Sequence, residues 1–92
     1  WDPDADAPAH RVAAHSFVAS FADTPTRERF AETVNAVTFE WENVPAELCE
    51  WLEQRRRVRP GSAVLHIIQD RVRQKQFLQS HGFSVPPFEV ID

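Results

Sequence analysis

Short apolar, β-branched runs alternate along this chain with stretches in which apolar residues recur every three or four positions. Phe17 and Val18, within Ser16 to Ala19, read as a short strand closed by the turn-like Asp23-Thr24-Pro25. Thr24 is then the expected N-cap of a helix, with Pro25 at the first helical position, where its missing N–H leaves nothing unsatisfied. Over Thr26 to Asn35, Phe30 and Val34 share one face while Arg27, Glu28, Arg29 and Glu32 cover the others. Ala36-Val37-Thr38-Phe39 has the form of a strand buried on both faces of a parallel sheet.

The second half repeats the alternation. Pro45 to Gln54 carries Leu48, Trp51 and Leu52 at helical spacing and is expected to be a crossover helix. Val58-Arg59-Pro60 reads as the next edge strand, closed by Pro60-Gly61. Ser62 is the expected cap of a short helix bearing Val64, Leu65, Ile67 and Ile68. Asp70 is the expected cap of another, from Arg71 to about His81, with an apolar face of Val72, Phe77 and Leu78, and Gly82 as its terminator. Phe83 to Phe88 is expected to be extended and to lead into a strand, Phe88 to Ile91. Alternating strands and helices predict an α/β fold with parallel pairing through crossovers.

Composition narrows the picture little. With 92 residues, 42% hydrophobic and 26% charged, the chain has the balance of a soluble globular protein. A chain of this size buries only about 60–65% of its unfolded surface, so marginal stability is expected. No run approaches the roughly 18 apolar residues that span a bilayer, and the acidic opening Trp1 to Asp6 lacks the basic start of a secretory signal. The expected location is the cytoplasm, with no membrane partner. A net charge of −4 argues against nucleic acid as a partner. Lone Cys49, among apolar and acidic neighbours, reads as a small core residue. Arg55-Arg56-Arg57 and Arg59 read as a solvated helix end, and the scattered His10, His15, His66 and His81 make no metal site.

Two groups of residues carry chemistry. Ligands of an open α/β sheet lie beyond the carboxyl ends of its strands, where Glu40, Glu42 and Asn43 fall. Strand alternation sends Glu40 and Glu42 to one side and Trp41 to the other, and ionised carboxylates accept hydrogen bonds from an amine or from ribose hydroxyls. On pattern alone, a solvated strand end with Asn43 capping the next helix is the simpler reading. Arg71 and Lys75, four apart at a helix start, suit an anion, and the planar guanidinium suits a nucleotide phosphate best. A solvated helix face is again the simpler reading.

The order of three segments changes those readings. The acidic, proline-containing opening Asp2 to Ala9, the segment Val37-Thr38-Phe39-Glu40-Trp41-Glu42-Asn43-Val44-Pro45, and Gln69-Asp70-Arg71 through Lys75-Gln76-Phe77-Leu78 with Gly82 and Val85-Pro86 resemble one family. It is the 5-(carboxyamino)imidazole ribonucleotide synthases, the ATPase subunits of phosphoribosylaminoimidazole carboxylase, within the ATP-grasp superfamily. The resemblance implies a ligase that converts ATP, bicarbonate and 5-aminoimidazole ribonucleotide to the carbamate product, ADP and phosphate, through carboxyphosphate and with Mg. It implies Glu40 as a ribonucleotide contact, Glu42 and Asn43 near the substrate, Arg71 as an ATP contact, and a homodimeric parent enzyme.

The family's first strand and its Gly-x-Gly-x-Leu-Gly turn have no counterpart in this sequence, nor do the ATP-clasping lysines and magnesium carboxylates. The chain is therefore expected to be an internal piece, inactive by itself: residues 1–60 as most of an incomplete Rossmann-like pre-ATP-grasp domain, and 61–92 as a helical linker and the start of the ATP-grasp domain. Two alternatives remain. The related ATP-grasp formate-dependent glycinamide ribonucleotide transformylase also has a Glu-x-Glu after the corresponding strand, although Thr38-Phe39 and Asn43-Val44-Pro45 favour the carboxylase. A non-enzymatic interaction module would dock a partner through Trp1, Trp41 and Trp51.

Overall fold

A computed structural model describes residues 1–91. After a 3-10 turn at Pro8–Arg11, the elements are α1 (Thr24–Thr33), β1 (Ala36–Val37), α2 (Ala46–Glu53), β2 (Arg57–Val58), α3 (Ser62–Ile68) and α4 (Arg71–Ser80). The two strands pair in parallel across the α2 crossover, with Ala36 opposite Arg57 and Val37 opposite Val58. The Arg59 N–H extends the ladder to the Val37 carbonyl at 2.9 Å. The α/β class and the parallel pairing thus stand as the sequence predicts. No helix among the described residues is long and apolar enough to cross a membrane.

The core lies between the sheet and the helices. Ala31, Val37, Leu48, Leu52 and Val58 are buried together, with Trp1, Phe21, Phe30 and Phe39 packed around them. Cys49, beside Leu48 on α2, is buried as a small core residue. Its desolvation pushes the thiol pKa up, and the nearby Glu53 charge adds to the effect. Leu65 of α3 is wholly inaccessible, a burial that contributes about 1.5–3 kcal/mol. A second tie holds α3 to α2: Glu53 accepts the Ser62 N–H at 2.9 Å and the Ser62 hydroxyl at 2.6 Å.

Several expected elements change. Ser16 to Ala19 is not a strand, because its bonds do not form a ladder: Phe17 accepts one from the Asp2 N–H at 3.1 Å and Ala19 one from the Trp1 indole at 2.7 Å. Phe88 to Ile91 likewise forms no strand, and Lys75 sits over the Phe88 ring instead. β1 is two residues long and covered on one side only, with Val37 buried and Ala36 and Thr38 exposed. Among the described residues the sheet has two strands, so β1 is not a central strand. The edge away from β2, which carries the backbone groups of Ala36 and Thr38, has no strand beside it.

Caps also move. Asp23, not Thr24, opens α1, its carboxylate accepting the Thr26 N–H at 2.9 Å. Gly61, not Ser62, precedes α3, since the Ser62 hydroxyl is taken by Glu53. Pro45 precedes α2 without a side-chain bond, so Asn43 caps nothing. Asp70 opens α4 as expected, accepting the Arg73 N–H at 2.9 Å. At the other end Gly82 takes the left-handed φ of 80° that terminates the helix. Phe77 is 40% exposed and stacks on His81, with centroids 4.1 Å apart.

Candidate functional site

Just beyond β1 the chain crosses an open trough of about 280 Å³. Leu48, Cys49 and Leu52 of α2 form its floor, Trp1, Phe21 and Phe30 one wall, and Val37 to Trp41 the other. The aromatic wall is continuous: Trp1 lies 5.4 Å from Phe21 and 5.5 Å from Phe30, and Phe21 lies 6.3 Å from Trp41, centroid to centroid. Asp2 and Glu40 are the acidic residues among its otherwise mostly apolar lining. Pockets for drug-sized ligands span about 300–1,000 Å³, so the trough suits one flat heterocycle with hydroxyl or amine groups at the acidic rim better than a whole nucleotide.

Glu40 therefore lies where the sequence places it, at the carboxyl end of a parallel strand. Glu42 does not share its position, because the alternation that pairs them needs extended backbone and the chain turns at Glu42 and Asn43. Neither Glu42 nor Asn43 lines the trough, whereas Trp41 does. Glu40, Glu42 and Asn43 are all exposed.

Arg71 is exposed at the first position of α4 and donates to the Gln74 side-chain oxygen at 2.9 Å. One guanidinium fork thus has a single neutral partner and keeps further donors free for an anion. The helix end itself is already occupied by Asp70, whose carboxyl is held below its ordinary range by the Arg73 N–H. Lys75 does not join Arg71, since its ammonium lies 4.7 Å from the Phe88 centroid. The arginine run follows α2, and Arg55, Arg56 and Arg59 bond within the protein itself. Arg55 lies 3.8 Å over Trp51 and donates to its carbonyl, Arg56 donates to the Val34 carbonyl, and Arg59 donates to that of Val58.

Glu40 and Arg71 do not touch; Gln69 connects their segments. Its side-chain nitrogen lies 2.7 Å from the carbonyl oxygens of both Glu42 and Val44. Gln69 and Asp2 stand in the segments that carry the family resemblance but have no role legible in the sequence, and Phe21 is not marked there at all, because each acts through partners distant along the chain. Among the described residues no three His, Cys, Asp or Glu side chains converge to hold a metal ion, and magnesium, which takes few carboxylates together with substrate phosphates, has no preformed cage among them.

Known proteins resemble this chain over most of its length. An N5-carboxyaminoimidazole ribonucleotide synthase from Brucella melitensis is 35% identical over 99% of this chain, which covers 25% of that protein. The N5-carboxyaminoimidazole ribonucleotide synthetase structure from Thermus thermophilus superposes with a TM-score of 0.87 at 41% identity, over 94% of this chain and 24% of that one. The Staphylococcus aureus N5-carboxyaminoimidazole synthetase, solved with ADP, gives 0.83 at 28% identity over 94% and 24%. The chain thus spans about a quarter of the length of these relatives. Residues 1–69, from the aromatic wall through the acidic turn to Gln69, match the family described as the ribonucleotide synthetase preATP-grasp domain, and the chain belongs to that family.

Proposed function

We propose that the chain is the ribonucleotide-facing part of an ATP-dependent carbon–nitrogen ligase. In this reading the full-length protein uses ATP and bicarbonate to carboxylate the amino group of 5-aminoimidazole ribonucleotide, releasing ADP and phosphate. One observation carries it: a carboxylate at the end of a parallel strand, over an aromatic trough, on a loop tied to the segment that bears Arg71. Glu40 accepts from the ribonucleotide's amine or hydroxyls, with Glu42 and Asn43 beside it, and the Arg71 fork binds ATP phosphate oxygens. The named relatives, one of them solved with ADP, support both substrates.

Residues 1–60 form the bulk of the preATP-grasp unit in this reading, and 61–92 lead into the ATP-grasp domain. Magnesium is held by residues elsewhere in a cytoplasmic, homodimeric parent enzyme. The test is steady-state kinetics of the full-length protein carrying this chain. Charge-assisted hydrogen bonds contribute about 1.5–3 kcal/mol each, or about ten- to a hundredfold in affinity. Glu40→Ala is therefore expected to raise the KM for the ribonucleotide by that factor, and Arg71→Ala the KM for ATP. Unchanged constants in both variants remove the assignment.

A further inference from the structure

The loop between β1 and α2 carries both candidate carboxylates but does little to hold itself, its internal bond being a long one from the Val44 N–H to the Trp41 carbonyl at 3.4 Å. Facing it is the end of α3, where the Gln69 N–H closes the helix on the Leu65 carbonyl at 3.0 Å. The Gln69 side-chain nitrogen reaches back 27 residues to the Glu42 carbonyl and 25 to that of Val44, each at 2.7 Å. A primary amide nitrogen has two hydrogens, one for each acceptor. The surroundings also fix which way the amide points, because the opposite orientation would set its oxygen against two carbonyl oxygens. Among the described residues, these are the hydrogen bonds that tie residues 40–44 to another element.

We propose that Gln69 is a positioning residue for the ribonucleotide site, a role that rests on the reading of Glu40 and its loop as the ribonucleotide contact. Its amide clamps the acidic loop to the α3–α4 junction. Arg71 stands two residues further on, directly after the Asp70 cap. One side chain therefore ties the loop that carries Glu40 to the junction that carries Arg71. A loop released by the clamp holds the Glu40 carboxylate out of register with the ribonucleotide and weakens its binding, which gives the clamp leverage although Gln69 touches no reacting atom.

The test uses the full-length protein with Gln69→Glu and Gln69→Ala. The first keeps the shape but replaces two donors with an acceptor that faces two carbonyls, pushing the loop away; the second only releases it. Gln69→Glu is expected to raise the ribonucleotide KM by about tenfold and Gln69→Ala by about threefold, with the ATP KM and kcat changed by less than about twofold. Melting temperatures should stay close to wild type, since the clamp is exposed. A ribonucleotide KM within about twofold of wild type in Gln69→Glu overturns the proposal. So does a rise in every constant accompanied by a fall in melting temperature, which would mark a merely structural role. Wild-type protein that turns over no ribonucleotide overturns the ligase reading and this role together. Active wild type with an unaffected Gln69→Glu overturns the positioning role alone.

Discussion

Replacing Gly61 with alanine tests how α3 is fastened to α2. The backbone at Gly61 has φ −81° and ψ 169°, a region open to any residue, so alanine brings no torsional strain. By restricting the unfolded chain it even adds about 0.4–1 kcal/mol of stability. The new methyl, however, would stand 2.6 Å from a Glu53 carboxylate oxygen. The flexible Glu53 side chain must move, and with it go the bonds of 2.9 and 2.6 Å to Ser62, a buried residue. Bonds to a charged acceptor contribute about 1.5–3 kcal/mol each, and solvent around the exposed carboxylate reduces the pair to about 2–3 kcal/mol. Set against the entropic gain, the net loss is about 1–2 kcal/mol, or roughly 4–16 °C in Tm for a chain of this size.

Thermal unfolding followed by circular dichroism measures the loss, in the wild-type and the Glu53→Ala backgrounds. In the second no carboxylate remains to be displaced, and Gly61→Ala should be neutral or slightly stabilising. A pH series gives an independent readout. The Ser62 hydroxyl, then the Ser62 N–H, hold the Glu53 carboxyl below its ordinary value of 4.5. Its contribution is therefore complete above that value and fades as pH falls through the lowered one. Gly61→Ala should flatten the stability profile between about pH 5 and 3. An equal penalty in both backgrounds, or parallel profiles, would show that the methyl acts through something other than Glu53.

Leu65→Ala empties a site with no solvent access and is expected to remove about 2–5 kcal/mol, read as a lower urea midpoint with an unchanged slope. Asp70→Ala should speed hydrogen exchange at the Arg73 amide while Asp70→Asn largely preserves its protection, because both Asp and Asn accept from that N–H. The wild-type cap should weaken in acid, as pH falls through the lowered Asp70 value. Cys49, buried and with its thiol pKa raised, should resist iodoacetamide at pH near 8 until urea unfolds the chain; rapid native labelling would contradict its place in the core.

What the sequence reveals depends on how local the cause is. α2 and α4 are legible because apolar spacing marks their faces and Asp70 and Gly82 mark the bounds of α4 within one turn. Val37 and Val58 declare strands that do pair. Ser16 to Ala19 and Phe88 to Ile91 mislead because β structure needs a partner ladder, which a local pattern cannot supply. Asp23 and Thr24 are both good caps, and the ionised side chain takes the position. Ser62 departs from expectation through a carboxylate nine residues back. The site divides in the same way. Glu40 follows from its place at a strand end and Arg71 from its place at a helix start, whereas Glu42 is displaced by a turn that alternation does not foresee. Gln69 stands in a segment that carries the resemblance, but its role is silent in the sequence, its partners being 25 and 27 residues away.

The free edge of β1 has a practical consequence for handling the chain. Exposed main-chain donors and acceptors bordered by small neutral residues template the addition of another extended segment. Ala36 and Thr38 supply neither the charge nor the proline with which sheets repel such company. At high concentration, copies of this chain by themselves should meet first along that border, in a contact kept weak by a strand of two residues. A lysine introduced at Thr38 is the simplest means of keeping a preparation dispersed.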